Sequence, residues 1–192
     1  MWKLFVALIV SIAFLLSLSV VDSATGIGET ILLQPSAQSI YNECLSLASQ
    51  FGGQFIQDRC ATLEQVNRLR ATAGVRQLRP HPYLMRTAQW WAEVQAYHRE
   101  GGHPEAVNQQ YLKYYKDPVR RSGLFCNNNQ NSAQVPTSLG RLGRVYKWTS
   151  SGHNANQLDR RWHFFGAGLA VGKCPPSLSN ADCYYPTVDF SG

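Results

Sequence analysis

Beyond residue 21 the sequence contains no further long apolar run, so nothing in the remainder is expected to span a membrane. It also lacks any Asn-x-Ser/Thr sequon, which removes the usual N-glycan. No Gly-x-Ser-x-Gly elbow and no His-Glu-x-x-His helix is present, so neither a serine hydrolase of that build nor a zinc protease of that build is expected. There is no internal repeat and no low-complexity tract. Acidic residues are the scarcer charge, 12 against 18 basic, giving a net charge of +6 and a pI near 9.2. The basic residues cluster at Arg120-Arg121, at Arg141, Arg144 and Lys147, and at Arg160-Arg161. Such clusters attract anionic surfaces such as phospholipid head groups or acidic glycans, or simply form a solvated face. Without a reader motif, nucleic acid is not an expected partner.

What the chain does have begins at its first residues. Lys3 precedes an apolar run from Leu4 to Val21, interrupted only by three serines, and Asp22-Ser23-Ala24 follows. That order, a charged start, a greasy centre and small residues, is a signal peptide's, with cleavage expected after Ser23. The other reading is an uncleaved anchor, because the run is also long enough to span a bilayer. Removing 23 residues leaves 169, the size of one domain with one core, and 44% hydrophobic content is ample for that core. The expected organisation is a signal peptide over 1–23, an N-terminal extension over 24–60 and a single domain over 61–192.

Export leads to an oxidising compartment, which favours pairing of the cysteines at 44, 60, 126, 174 and 183. Proximity pairs Cys44 with Cys60 and Cys174 with Cys183. Cys126 is then left over, whether free, paired between chains or a sign of another connectivity.

Residues 36–49 carry Ile40, Leu45 and Leu47 and predict a helix broken by Gly52-Gly53. Thr62 with Gln65 three residues on is a capping-box pattern, predicting a second helix from there to Gly74. Pro82 opens a third, in which Tyr83, Thr87, Trp90, Val94 and Tyr97 form one stripe beside Leu84, Ala88 and Trp91, predicting burial on two sides. Residues 103–136 are polar, include the run Asn127-Asn128-Asn129-Gln130-Asn131, and predict a long loop. Leu139, Leu142, Val145, Tyr146 and Trp148 predict a further helix ending at Ser151-Gly152-His153. Residues 164–171 and 183–190 predict two strands around a Pro/Ser/Asn loop. Helices first and strands last make the fold class α+β.

Among candidate chemical groups, His103 follows a Gly-Gly break after a helix, and His153 follows Gly152. Both stand where the chain leaves a rigid element, which suits ligands or acid/base groups, although a merely polar cap is the plainer role. Two imidazoles together offer a site for a divalent metal such as zinc. No other cofactor is expected.

The order Asn67-Arg68-Leu69-Arg70, Leu78, Pro82-x-Leu84-x-x-x-Ala88-Gln89-x-Trp91-Ala92, His103, Trp148-x-x-Ser151-Gly152-His153 and Gly166-Ala167-Gly168-Leu169-Ala170 resembles the CAP superfamily. That superfamily comprises cysteine-rich secretory proteins, antigen 5 and pathogenesis-related proteins. The likeness runs from Thr62 to Phe190. It implies an α-β-α sandwich with a three- or four-stranded antiparallel sheet, and a cavity lined by two histidines and up to two acidic residues. His103 and His153 fall on the histidine positions, with Trp148 beside them. The acidic positions depart from the pattern: one should lie near Cys126 to Asn131, where only Asn and Gln stand, and the other close after Trp148, where Thr149 and Ser150 stand. Missing carboxylates weaken metal binding and base chemistry alike.

The expected function is therefore a secreted, extracellular, non-catalytic domain that binds a lipid, sterol or surface glycan. One alternative is a metal-assisted hydrolase using His103 and His153 with Glu100, Glu105 or Asp117 supplied from elsewhere. Another is a basic interaction module for anionic surfaces. Glu93, Glu100 and Glu105 read as a solvated face rather than a glycosidase pair. A thiol protease of Cys126, His153 and Asn154 lacks any local signature.

Overall fold

The computed structural model describes residues 35–51, 53–103 and 128–192, with Asn128 described in its backbone alone. The expected signal peptide, Cys126, Glu105, Asp117 and Arg120-Arg121 lie outside the described residues. Among those described, no helix is long and apolar enough to cross a membrane.

Helix α1 (Ala37–Gln50) opens with Ser36, whose hydroxyl accepts from the Ser39 amide, and buries Ile40, Cys44 and Ala48 at helical spacing. Helix α2 (Ile56–Thr72) starts six residues before the predicted Thr62 cap. Thr62 is instead interior, its hydroxyl donating to the Asp58 carbonyl, so the capping pattern was satisfied by an in-helix bond. Disulfide Cys44–Cys60 joins the two helices, and Cys174–Cys183 closes the hairpin near its turn.

Strand β1 (Arg79–Pro80) precedes α3 (Pro82–His98). In α3 the stripe through Leu84, Ala88 and Trp91 is buried, extended by Met85, Ala92 and Gln95. The other predicted stripe is core only at Thr87: Tyr83 is 43% exposed and Tyr97 84%, because the sheet covers one side of this helix. Arg99, in the left-handed region, ends α3, and its guanidinium donates to the Cys174 carbonyl.

The asparagine-rich run is a strand rather than a loop, β2 (Asn128–Ser132), followed by β3 (Val135–Pro136). Asparagine has little preference for strands, so pairing with β5 and side-chain bonds decide the matter. The predicted helix around Leu139 to Trp148 is broken into a 3-10 turn (Thr137–Leu139) and the short α4 (Arg141–Arg144), with Gly140 at φ 53° between them. Ser151-Gly152-His153 does not end a helix but begins one, α5 (Ser151–Leu158).

Strands β4 (Phe164–Lys173) and β5 (Asp182–Ser191) form the predicted antiparallel hairpin. The sheet order is β1-β4-β5-β2, with β3 also on β5 and β1 parallel to β4. It therefore has five strands, one pair of them parallel, against the three or four antiparallel strands implied by the resemblance. Alternation along β4 assigns its faces. Phe165 and Ala167 enter the core with Leu63, Val66, Trp148 and Trp162, whereas Ala170 packs with Ala92 and Ala96 of α3. This is the layering of an α+β sandwich with the sheet between helices. A Cβ at Gly166 or Gly168 would collide with the backbone of Leu84 or Ala88, so the Gly-Ala-Gly segment lets α3 lie directly on the sheet.

Candidate functional site

Two buried arginines hold the frame that carries the histidines. Arg59 donates to the carbonyls of Ala167 and Met85, tying α2 to β4 and α3. Arg70 donates to the carbonyls of Arg76, Gln157, Asp159 and Trp162. It thereby satisfies carbonyls at the C-terminal end of α5, where a cation also suits the helix dipole. Burial lowers both guanidinium pKa values to about 10, with Glu93 and Asp159 respectively acting in the opposite sense. Asn67 exchanges two hydrogen bonds with the backbone of Leu78, at 2.9 and 2.7 Å.

His103 is set by what precedes it. Gly102 adopts φ 123°, which only glycine takes readily, and its carbonyl accepts from both Trp91 Nε1 at 3.1 Å and Ser132 Oγ at 2.9 Å. The imidazole that follows meets Gln130 of β2, with Nδ1 3.0 Å from Oε1. Gln130 is itself oriented: its Nε2 donates to Asp189 Oδ1 at 2.9 Å, while Thr87 Oγ1 donates to Asp189 Oδ2 at 2.9 Å. Because a carboxylate takes the amide's N–H, the amide oxygen must face His103. His103 is therefore protonated on Nδ1, and its Nε2 carries the lone pair in the neutral ring.

His153 sits in the first turn of α5, half-buried, with Nδ1 2.9 Å from the hydroxyl of Ser150, the residue that caps this helix. Its carbonyl accepts from Asn131 Nδ2 and from Gln157 Nε2. Asn131 Oδ1 accepts from Asn156, whose own Oδ1 accepts from Trp162 Nε1. Adjacent residues of one strand thus serve the two histidines, Gln130 reaching His103 and Asn131 reaching the backbone of His153. Burial lowers the His153 pKa below its ordinary 6.5, and proximity to His103 lowers it further. The two rings are close enough to feel one another's charge.

The other sequence candidates fall elsewhere. Trp148 is a core residue, 2% exposed, in edge contact with Tyr146, and its indole N–H is buried without an acceptor. Glu100 is exposed at the end of α3, and Glu93 is exposed and accepts from Gln89. Asn154 faces a cleft between α2 and α5. Arg141 and Arg144 both pair with Asp58, and Arg161 pairs with Asp159, so these basic clusters are partly neutralised.

Sequence reasoning passed over Gln130, Asp189 and Thr87. The available signal was Thr187 and Asp189 two residues apart in an otherwise apolar strand, a polar pair on one face that demands partners; Thr187 accepts from Gln95. Among the described residues no three His, Cys, Asp or Glu side chains converge on a metal position. Two imidazoles, each with Nδ1 engaged, fall short of the three protein ligands of a catalytic zinc, and Asp189 is one residue removed, behind Gln130. The described donor set does not fit a zinc centre.

The family model for CAP, the cysteine-rich secretory protein family, matches residues 63–186. Among solved structures, the chain is similar to an extracellular SCP-domain protein from Bacillus anthracis, at 14% identity and TM-score 0.47, over 70% of this chain and 40% of that one. It is also similar to a cysteine-rich secretory protein from Staphylococcus aureus, at 14% identity and TM-score 0.44, over 72% of this chain and 40% of that one. The chain thus spans well under half the length of either protein. No curated protein gives a significant match. With the family match covering α3, α5, β4 and both histidines, and well over half of the sequence, the chain belongs to the CAP family, the cysteine-rich secretory protein family.

Proposed function

We propose that this chain acts outside the cell as a non-catalytic CAP domain, binding a lipid, sterol or surface glycan at the cleft between His103 and His153. The observation that carries this reading is Gln130. It stands in the stretch where the family resemblance calls for a carboxylate, and an amide neither exchanges a proton near neutral pH nor supplies the charge that holds a divalent cation. What the two histidines and their neighbour offer is neutral polarity: the Nε2 lone pair of His103, the ring of His153 whose charged form burial disfavours, and the Ser150 hydroxyl. These suit hydroxyl and carbonyl groups of a ligand. The disulfides are consistent with an oxidising compartment.

The test is a binding screen with sterol, phospholipid vesicles and neutral oligosaccharides, comparing wild type with His103→Ala. A ligand whose affinity drops about tenfold or more in the variant supports the reading, as expected for loss of a well-placed polar contact in a recessed site. Empty screens across all three classes would refute it.

The alternative reading, a metal-assisted hydrolase, would need a carboxylate beyond the described donor set, because Asp189 lies behind Gln130, two hydrogen bonds from His103. Zinc titration separates the two: a tight one-to-one site removed by His103→Ala, with hydrolysis of an ester or glycoside, would replace the binding reading.

A further inference from the structure

Helix α5 touches β2 with one flank and α2 with another. Against α2 lies a cleft of about 460 Å³, away from the Gln130 relay and within the size range of ligand sites, about 300–1,000 Å³. No carboxylate lines it. Arg68 of α2 borders it, already paired with Glu64 at 3.0 Å, whereas Lys147 is exposed with no ion pair among the described residues. Beside Lys147, Trp148 forms part of the wall and keeps a buried indole N–H without an acceptor, a costly state for a buried donor. The Thr149 hydroxyl and the Asn154 amide are unengaged among the described residues. Gln157 commits its amide N–H to the carbonyls of Trp148 and His153, which leaves Oε1 as an acceptor.

The cleft therefore combines the Lys147 ammonium, the Thr149 hydroxyl and the Asn154 amide with the Gln157 amide oxygen, and no carboxylate is among its lining residues. An oxyanion answers the first set and sugar hydroxyls answer the second. We infer that this second site binds an acidic sugar unit of an extracellular glycan, its carboxylate beside Lys147 and its hydroxyls against Asn154 and Gln157. A membrane surface fits less well, because most of the residues lining the cleft are polar and it offers no exposed apolar face to a bilayer. Neither His103 nor His153 is among its lining residues.

The experiment titrates the full chain with a hyaluronan tetrasaccharide, its carboxyl-reduced neutral counterpart, sodium sulfate and phosphatidylserine vesicles, read by calorimetry and tryptophan emission. The carboxylated tetrasaccharide is expected to bind and shift tryptophan emission, with the reduced counterpart about tenfold weaker, as befits loss of a charge-assisted contact. Lys147→Ala, an exposed change that leaves packing untouched, is expected to weaken binding to a similar degree, and Asn154→Ala by about threefold. His103→Ala should leave this binding unchanged, so failure here is distinguishable from failure of the histidine-cleft reading. Equal affinity for the reduced sugar, insensitivity to both Lys147→Ala and Asn154→Ala, or binding of vesicles or sulfate without the tetrasaccharide would each overturn the inference.

Discussion

His103 and His153 are the same residue type and lie near enough to influence one another's charge, yet they are held in opposite ways. His103 hangs on a chain of buried groups, Gln130 at 7% exposure and Asp189 at 0%, that ends on Thr87 of α3. His153 bonds an exposed serine hydroxyl that turns freely and both donates and accepts. One imidazole is thus fixed in tautomer and orientation by the core, and the other is free to adapt to what it meets. The contrast between one rigid and one adjustable imidazole follows from burial alone, without any difference in side-chain chemistry.

The strongest way to break this contrast is Asp189→Ala. It strands the buried amide of Gln130 and leaves Thr87 only the Leu84 carbonyl, and is expected to cost about 2–3 kcal/mol, read as a lower urea midpoint. A midpoint like that of wild type would mean the relay holds nothing. Next, Gln130→Leu should cost about 1–2 kcal/mol and abolish the Nδ1-H preference of His103 in imidazole nitrogen shifts. The matching change on the other side, Ser150→Ala, should stay within about 0.5 kcal/mol. If both variants cost alike, the two histidines are not differently held.

The smallest effect is electrostatic. In His103→Ala the His153 pKa should move up toward 6.5, since burial then remains without the neighbouring ring. Its folded value lies below its unfolded value, so the unfolded chain takes the proton first as pH falls from about 6.5. Stability at this group is complete above that pH, declines through the window down to the lowered folded pKa, and should decline less in the variant. A His153 titration by proton NMR that ignores the substitution would show that burial alone sets the shift.

Much of the frame was legible in the sequence because its signals are local or strongly patterned. The hairpin around Gly166-Ala167-Gly168, both disulfides and the helix opened by Pro82 rest on alternation, on cysteine spacing and on proline at a first turn. The residues that carry the family resemblance prove to be largely architectural: Asn67 pins Leu78, Arg70 satisfies the end of α5, and Trp148 fills the core. The misreadings share one cause. Tyr83, Trp90 and Tyr97 repeat every seven residues, a spacing that predicts a stripe but not which stripe meets the sheet. Asn129, Gln130 and Asn131 have no strand preference of their own, so β2 exists only through its partner β5.

The sequence by itself determined the fold class and pointed to the sulfur bridges and the two histidines, because hydrophobic period, cysteine proximity and ordered motifs depend on near neighbours along the chain. Only the tertiary structure decided what those histidines can do. Gln130 is 59 residues from Asp189, and Thr87 is 102 residues from it. Their union in one buried relay depends on the register Gln130↔Asp189 and on α3 lying against glycine, neither of which any local pattern encodes.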